Sequence, residues 1–332
     1  MSLYKLLIAI LCLLLMNSAQ ARGAAAISER PFFVSAELPV AIGLGLPKTL
    51  SAHSVESGQW LIDLNSVIKS NANSANGSGE SLRIDAESYN IELGLTYGLS
   101  DRWQLDVQAA YIRHTNGSLD GLIQQWHDFF GFSDGDRPLF EEDDFLIRYI
   151  GPEGQNNLIT PSSGLSDIRL GLAYSIRQSW FDDLIVRTGV NLPTGDPAKL
   201  TGSDEVDFDI GIYTRGNQLG KWSRLAWHHN IGVVLIGDDS SFGIPTKDNA
   251  FFHSIGFNWR LGTKWKIKGQ LDSHSPFFES NITELSKSAS QLTLGLSYST
   301  KKIGAIELYF SEDVTVNRAA DFSIGLNARF AF

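Results

Sequence analysis

The sequence predicts an all-β protein: a single antiparallel transmembrane β-barrel of about twelve strands, with long extracellular loops and short periplasmic turns. Three observations predict it. Apolar residues recur at every second position through twelve separate segments, and two is the strand period. The connections between those segments alternate between long and short, as in outer-membrane barrels. An export signal opens the chain.

The signal comes first in the chain. Lys5 gives a positive start, Leu6 to Met16 are apolar throughout, and Ala19-Gln20-Ala21 has the form of a cleavage site. Cleavage there leaves Arg22 as the first mature residue. Cys12 is the only cysteine and lies in the discarded part. Ile10 and Leu11 precede it, not the small residues expected ahead of a lipidated cysteine. The mature chain is therefore expected to have no thiol, disulfide or cysteine metal site, and backbone pairing and packing must hold it together. Losing residues 1–21, with Lys5, takes the net charge from −10 to −11. An acidic chain without clustered Lys and Arg excludes nucleic acid as a partner. Beyond the N-terminus no apolar run reaches the roughly 18 residues of a membrane helix, which excludes a polytopic helical protein.

Residues 22–57 read as a short periplasmic segment, and the barrel occupies 58–332. The alternating segments are 58–69, 82–98, 102–114, 166–178, 182–192, 205–216, 222–236, 250–262, 264–274, 289–300, 303–312 and 320–332. Most run to about twice the length of a mean soluble strand. The gaps after the odd-numbered segments are long: 70–81, 115–165, 193–204, 237–249, 275–288 and 313–319. The others are short: 99–101, 179–181, 217–221, Thr263 and 301–302. An even strand count leaves both ends on the short-turn, periplasmic side.

The apolar face carries aromatic pairs eight residues apart: Tyr89 and Tyr97, Trp103 and Tyr111, Phe251 and Trp259, Phe322 and Phe330. Eight residues at about 3.4 Å each, tilted by about 40°, span roughly 21 Å of height. That is close to the ~25 Å apolar band between two aromatic girdles. The chain ends on Phe332 in an alternating strand, which looks like the terminal signal read by barrel-assembly machinery. Arg in place of Leu326, on the outward face, is expected to cost more stability than Arg in place of Asn327 on the lumen face.

The inward face is polar and mixed in sign. Asp63, Glu92 and Asp106 come from the first three segments, and Arg169, Arg177 and Arg187 from the next two. Asp207 and Asp209 follow, then Arg260, Lys266 and Lys268, with Glu307 and Arg329 near the end. Opposite charges on nearby strands can pair across a narrow lumen, so this reads as an internal salt-bridge lattice with a narrow water path at most. His229 and His253 break the pattern by falling on the outward face, which points to a local bulge or a subunit contact.

The connection 115–165 is far longer than usual, and such loops are commonly functional. Ser118 is placed to cap a helix in which Leu122, Ile123, Trp126, Phe129 and Phe130 share one face, and Gly131 to end it. An acidic stretch follows: Asp134, Asp136, Glu141, Glu142, Asp143 and Asp144. It lacks the spacing of a calcium-binding loop, and a solvated face is the reading preferred over a divalent-cation site. The helix is expected to plug or cover the barrel mouth, or else to pack on lipid or a partner, with the acids favouring cations. No cofactor or metal site is assigned. Ser273-His274-Ser275 with Asp272, and His228 with Asn230, are the groups an enzyme would use, but no complete hydrolase or acyltransferase pattern is present.

His127, Phe130-Gly131 and Arg137 in the long loop resemble a family of uncharacterised bacterial outer-membrane barrels, domain-of-unknown-function family 3187. Pro39-Val40-Ala41 and Gly45-Leu46-Pro47 are similar to that family's segment ahead of the first strand. The resemblance implies the outer membrane of a Gram-negative bacterium and supplies no activity. Membrane lipid, lipopolysaccharide and the barrel-assembly machinery are the expected partners, with small solutes besides. The leading function is a narrow, loop-constricted passive channel for small solutes. A non-conducting envelope or interaction barrel is the alternative, and an outer-membrane lipid-modifying enzyme comes third.

Overall fold

The computed structural model describes residues 27–117, 119–131, 136–140, 144–176, 181–216, 224–237, 240–300 and 304–332. The targeting segment, the cleavage site and Arg177 lie outside the described residues. Twelve strands form the wall. They are β1 (Trp60–Gly77), β2 (Glu80–Gly98), β3 (Trp103–Thr115), β4 (Ile168–Ser175), β5 (Asp183–Leu192), β6 (Asp207–Gly216), β7 (Leu225–Leu235), β8 (Asn249–Arg260), β9 (Trp265–His274), β10 (Ala289–Thr300), β11 (Gly304–Asp313) and β12 (Phe322–Ala331). Each pairs antiparallel with its neighbours in sequence, and β1 pairs with β12 from Leu61↔Ala331 to Ser70↔Phe322, closing the barrel. Phe332 adds to the closure, since its backbone N–H and C=O bond Trp60 at 3.0 Å each way. Closure removes the sheet edges and satisfies the backbone within the wall, which a strand protein in lipid requires.

All twelve predicted segments became wall strands. The gap 70–81 did not become a loop. β1 and β2 continue past the predicted ends and turn tightly at Ser78-Gly79, where Gly79 has φ +76°. The Ser-, Asn- and Gly-rich composition there lacks apolar alternation because this hairpin stands beyond the apolar band. Within 115–165, helix α1 (Asp120–Phe130) forms where the spacing predicts it. A hairpin, Leu146–Gly151 with Gly154–Leu158, then adds to the extension of β2 through Ile84↔Ile147. Ser162–Leu165 pairs with the outer part of β3.

Burial alternates along the strands as the two faces require. Leu308 and Leu326 on the outward face are 55% and 51% exposed, while Asn327 is fully buried. Leu326→Arg is expected to cost about 2–4 kcal/mol, the penalty of a mid-bilayer charge on a barrel's lipid face. A denaturant titration in liposomes checks it, and an unchanged midpoint would contradict the assignment of faces. Asn327 does not offer the cheap contrast expected of it. Its amide donates to Asp63 and Glu307 at 3.2 Å each, so the lumen at that level is full.

The fullness has a source that sequence reasoning placed elsewhere. Of the segment 22–57, expected in the periplasm, residues 27–55 run inside the barrel. Phe32, Phe33, Val34, Ala36, Leu38 and Val40 are all buried, and Phe32 packs on Tyr309 of β11 with ring centroids 5.2 Å apart. Val34, Ala36, Leu38 and Val40 are spaced two apart, but no alternating run of wall length extends from them, so the strand period could not register this segment.

Candidate functional site: the plugged lumen

The N-terminal segment forms a two-limbed strap. One limb climbs from the turn end of the barrel, a tip turns over at the loop end, and a second limb returns to β1. Thr49 N–H donates to Val34 C=O at 3.0 Å, tying the limbs together. Wall side chains hold the rising limb by its backbone. Arg329 donates to the carbonyls of Ile27 (3.2 Å) and Pro31 (3.0 Å), and Asn65 to that of Phe33 (3.3 Å). Phe32 N–H donates to the Gln270 side chain at 2.8 Å. The returning limb is held the same way. Asn230 and Arg187 donate to the carbonyls of Leu50 (3.0 Å) and Ser51 (2.8 Å), Thr49 Oγ1 donates to Asp272 (2.7 Å), and Val55 N–H donates to Gln104 (3.0 Å). The strap adds its own charges: Lys48 pairs with Glu92 at 2.8 Å, and Glu37 lies 3.8 Å from Lys69.

The tip is Pro39–Ala41, a 3-10 turn, followed by Ile42-Gly43-Leu44-Gly45. Two glycines fit it to the wall. A Cβ on Gly43 would stand 2.7 Å from the Gly202 backbone. Gly45 has φ +64°, and a Cβ there would meet Asp207 at 2.7 Å. Leu38, Val40, Ala41 and Leu44 join Ile244, Phe252, Phe277, Phe278 and Leu285 in one buried apolar cluster. Ser241 donates to Val40 C=O at 2.8 Å. The strap tip and the loops around it thus form an apolar stopper at the loop end of the lumen.

Most of the predicted lumen charges fall into ion pairs. Arg329 bonds Asp63 at 2.5 Å and lies 3.6 Å from Glu307, which also binds Lys268 at 2.5 Å. Arg187 pairs with Asp106, and Arg169 with Asp209, each across an intervening strand. Glu92 takes Lys48 and Asn65, both at 2.8 Å. Asp207 accepts from Gly237 N–H at 2.9 Å, and Lys266 bonds Ser28 of the strap. Arg260, at the turn end, is only half-buried. In a low-dielectric interior such charges persist only when paired and hydrogen-bonded. Some groups still face the strap without a protein partner among the described residues: Gln104 Nε2, Gln108 Nε2 and both ring nitrogens of His228. Buried polar atoms of this kind require water. A cleft of about 80 Å³ runs between the strap and β2–β5 beside Phe33, Lys48, Glu92, Gln108 and Arg169.

Helix α1 sits at the loop end and does not enter the lumen through the contacts described. Leu119 N–H donates to Glu87 at 2.6 Å, and Asp120 pairs with Arg137 at 2.5 Å. Arg137 is buried, donates to Ser70 at 3.2 Å and lies 3.7 Å from Asp321, so the helix is pinned to the outer ends of β1, β2 and β12. Burial, with the nearby carboxylate of Asp313, pushes the Asp321 carboxyl up to about 7. Ile123 is buried but Phe129 is 80% exposed, contrary to the single buried face expected of this helix. The side chains of Leu122, Trp126, His127 and Phe130, the cap Ser118, and the acids Asp134, Glu141, Glu142 and Asp143 lie outside the described residues. Asp136 is half-buried and accepts from Ser74 N–H (2.9 Å) and Asn317 (2.8 Å), while Asp144 is exposed.

At the turn end an aromatic belt forms. Trp60 packs on Tyr97, Trp103 on Tyr174 and Trp265 on Tyr298, with centroids 4.6–4.8 Å apart. Trp60, Tyr174, Trp265 and Tyr298 were missed because their strands lack a second aromatic eight residues away. Tyr89 and Tyr111 aim their hydroxyls at Glu87 and Ser163, 3.0 Å each, near the loop end, and Phe251 there is largely exposed. Trp259 is half-buried at the turn end. Phe322 and Phe330 are buried, so they pack between neighbours and do not project into a girdle. The residues an enzyme would use are not brought together: Asp272 is bound to Thr49 and Gln270, Ser273 faces outward onto Ser290, and the His274 ring stacks on Phe277.

The sequence matches, over residues 6–332, the family described as protein of unknown function DUF3187. The chain belongs to this family. The resemblance read from the long loop and from Pro39–Pro47 is thereby confirmed, and the second of those stretches is the strap tip. No curated protein matches the chain. Among solved structures, the barrel is similar to the COG4313 outer membrane channel from Pseudomonas putida F1, with TM-score 0.55 and 12% identity over 85% of this chain and 98% of that one. The fold is thus that of an outer-membrane β-barrel. Looser likenesses, which carry no argument, are to the NanC porin (TM-score 0.42, 11% identity, 81% and 98% covered) and to the P. putida toluene transporter TodX (0.39, 12%, 84% and 91%).

Proposed function

We propose that the protein is a passive outer-membrane channel for small solutes, closed at rest by its own N-terminal segment. The observation that carries this reading is the kind of contact between strap and wall. Below the apolar tip, the strap meets a lumen lined by charges and amides. It is held mainly by hydrogen bonds from wall side chains to its carbonyls, and several buried polar atoms facing it require water. A wall built only for support would fill such a core with apolar side chains, which cost nothing to desolvate. Here, if the strap shifts, each of these hydrogen bonds can be replaced by one to water, and the apolar contacts to be broken below the tip are few, chiefly Phe32 and Val34 on Val67 and Tyr309. The COG4313 channel, which shares the barrel fold, is consistent with this assignment.

This reading places the constriction at the strap, with α1 as a rim element. Planar-bilayer recording on the purified protein is the test, with the intact chain and a chain lacking 118–145 measured side by side. Discrete but infrequent conductance steps are expected from the intact chain, and only a modest change from the loop deletion. A folded protein that never conducts at any applied voltage would favour the envelope-barrel alternative.

A further inference from the structure

One polar line on the outside of the wall has no part in the channel. Thr214 on β6, His229 on β7, His253 on β8, Ser273 on β9 and Ser290 on β10 all occupy outward positions on five consecutive strands. Thr214 pairs in register with His229, His253 with Ser273, and Ser273 with Ser290. His229 and His253 are diagonal neighbours across β7 and β8, with Nε2 atoms 2.9 Å apart and ring centroids at 4.9 Å. The line crosses the wall from the turn end of β6 to the loop end of β10, with the histidines midway. Exposed apolar residues flank them, with Ile231 and Ile255 at 49% and 47%. The wall beyond β10 is different: Ile306, Leu308, Ile324 and Leu326 leave the outward face of β11 and β12 apolar.

A bulge does not explain the two histidines, because the β7–β8 register runs unbroken from Leu225↔Trp259 to Leu235↔Asn249. They face the hydrocarbon by design of the strand. Proton bookkeeping then shows what this face needs. When one neutral imidazole donates Nε2–H to the other's Nε2, the donor ring keeps a bare Nδ1 and the acceptor ring keeps an Nδ1–H. The pair therefore presents one acceptor and one donor, and acyl chains can satisfy neither. A surface with one of each is complementary to itself. Barrel copies all insert in the same direction, so a two-fold axis relating two of them runs along the membrane normal and sets equal depths opposite each other. A mid-height pair on that axis meets its own counterpart.

We infer that this face is the contact between two copies of the chain, with the His229–His253 pairs meeting across the two-fold axis. Cysteine cross-linking in intact outer membranes tests it in a Cys12→Ala background. Ile255→Cys, beside the histidines, is expected to give a band of twice the chain's mass on oxidation, and Leu308→Cys, three strands away on β11, is not. Adding His229→Leu and His253→Leu should reduce the Ile255→Cys dimer several-fold. Leucine suits a lipid-facing position, and heat-modifiable migration on gels verifies that the barrel still folds. Equal cross-linking from both positions, no cross-linking at position 255, a product with the mass of a different protein, or a dimer indifferent to the two leucines would each overturn the inference.

Discussion

Deleting residues 27–57 is expected to turn a barrel that is mostly closed into one that conducts continuously, with a conductance several-fold above the open events of the intact chain. The strap fills the cross-section from Ile27 at the turn end to Leu44 at the loop end, and the apolar stopper loses its central residues without it. Twelve strands enclose a space that side chains alone do not fill. The deletion also strips carbonyl partners from Arg187 and Arg329, so some stability should be lost as well. Conductance must therefore be read on protein shown to be folded by its heat-modifiable migration. Folded protein that conducts no more than the intact chain would mean that the strap is not the barrier.

The second large effect is expected at Glu307. Its carboxylate is fully buried between Lys268 and Arg329, which are themselves buried. Glu307→Gln leaves the two cations facing each other with only Asp63 to offset them. Removing one member of a buried ionic cluster costs about 3–5 kcal/mol, because the charges left behind are uncompensated. Pairing it with Lys268→Met should restore most of the loss, since the neutralised site needs no counter-ion. Denaturant midpoints in liposomes for the single and double variants check this. Equal destabilisation by both would show that packing, not charge, dominates the cluster.

These two expectations mark where the sequence was legible and where it was not. The wall was legible because a strand with lipid on one side and polar lumen on the other must alternate. Leu326 and Asn327 sit where parity puts them, and the loop asymmetry gave the direction of every strand. The lumen charges were legible as a group for the same reason. Their partners were not, because Arg187–Asp106 and Arg169–Asp209 skip a strand and depend on barrel curvature. The strap was illegible as a plug. Phe32, Phe33 and Val34 look like any short apolar run, and what makes them internal is a set of hydrogen-bond partners far along the chain, Asn65, Gln270 and Arg329 among them. The signal that could have located it was the wall itself: twelve strands lined by large polar side chains need something to bond. The long loop was legible only in its local structure. Its helical period was real, but Phe129 shows that an amphipathic period does not say how much of that face is covered.

The central claim is that the N-terminal strap is the gate of the lumen, and a reversible lock tests it most directly. Thr49 Oγ1 lies 2.7 Å from Asp272, so Thr49→Cys with Asp272→Cys in a Cys12→Ala background places two thiols where the strap meets β9. Single-channel recording in a planar bilayer is made on the same preparation, first oxidised and then reduced, with the disulfide verified by mass. The account predicts a silent oxidised protein that regains the intact chain's conductance steps when a thiol reductant is added. Identical conductance in the two states, with the disulfide shown to be present, would contradict it.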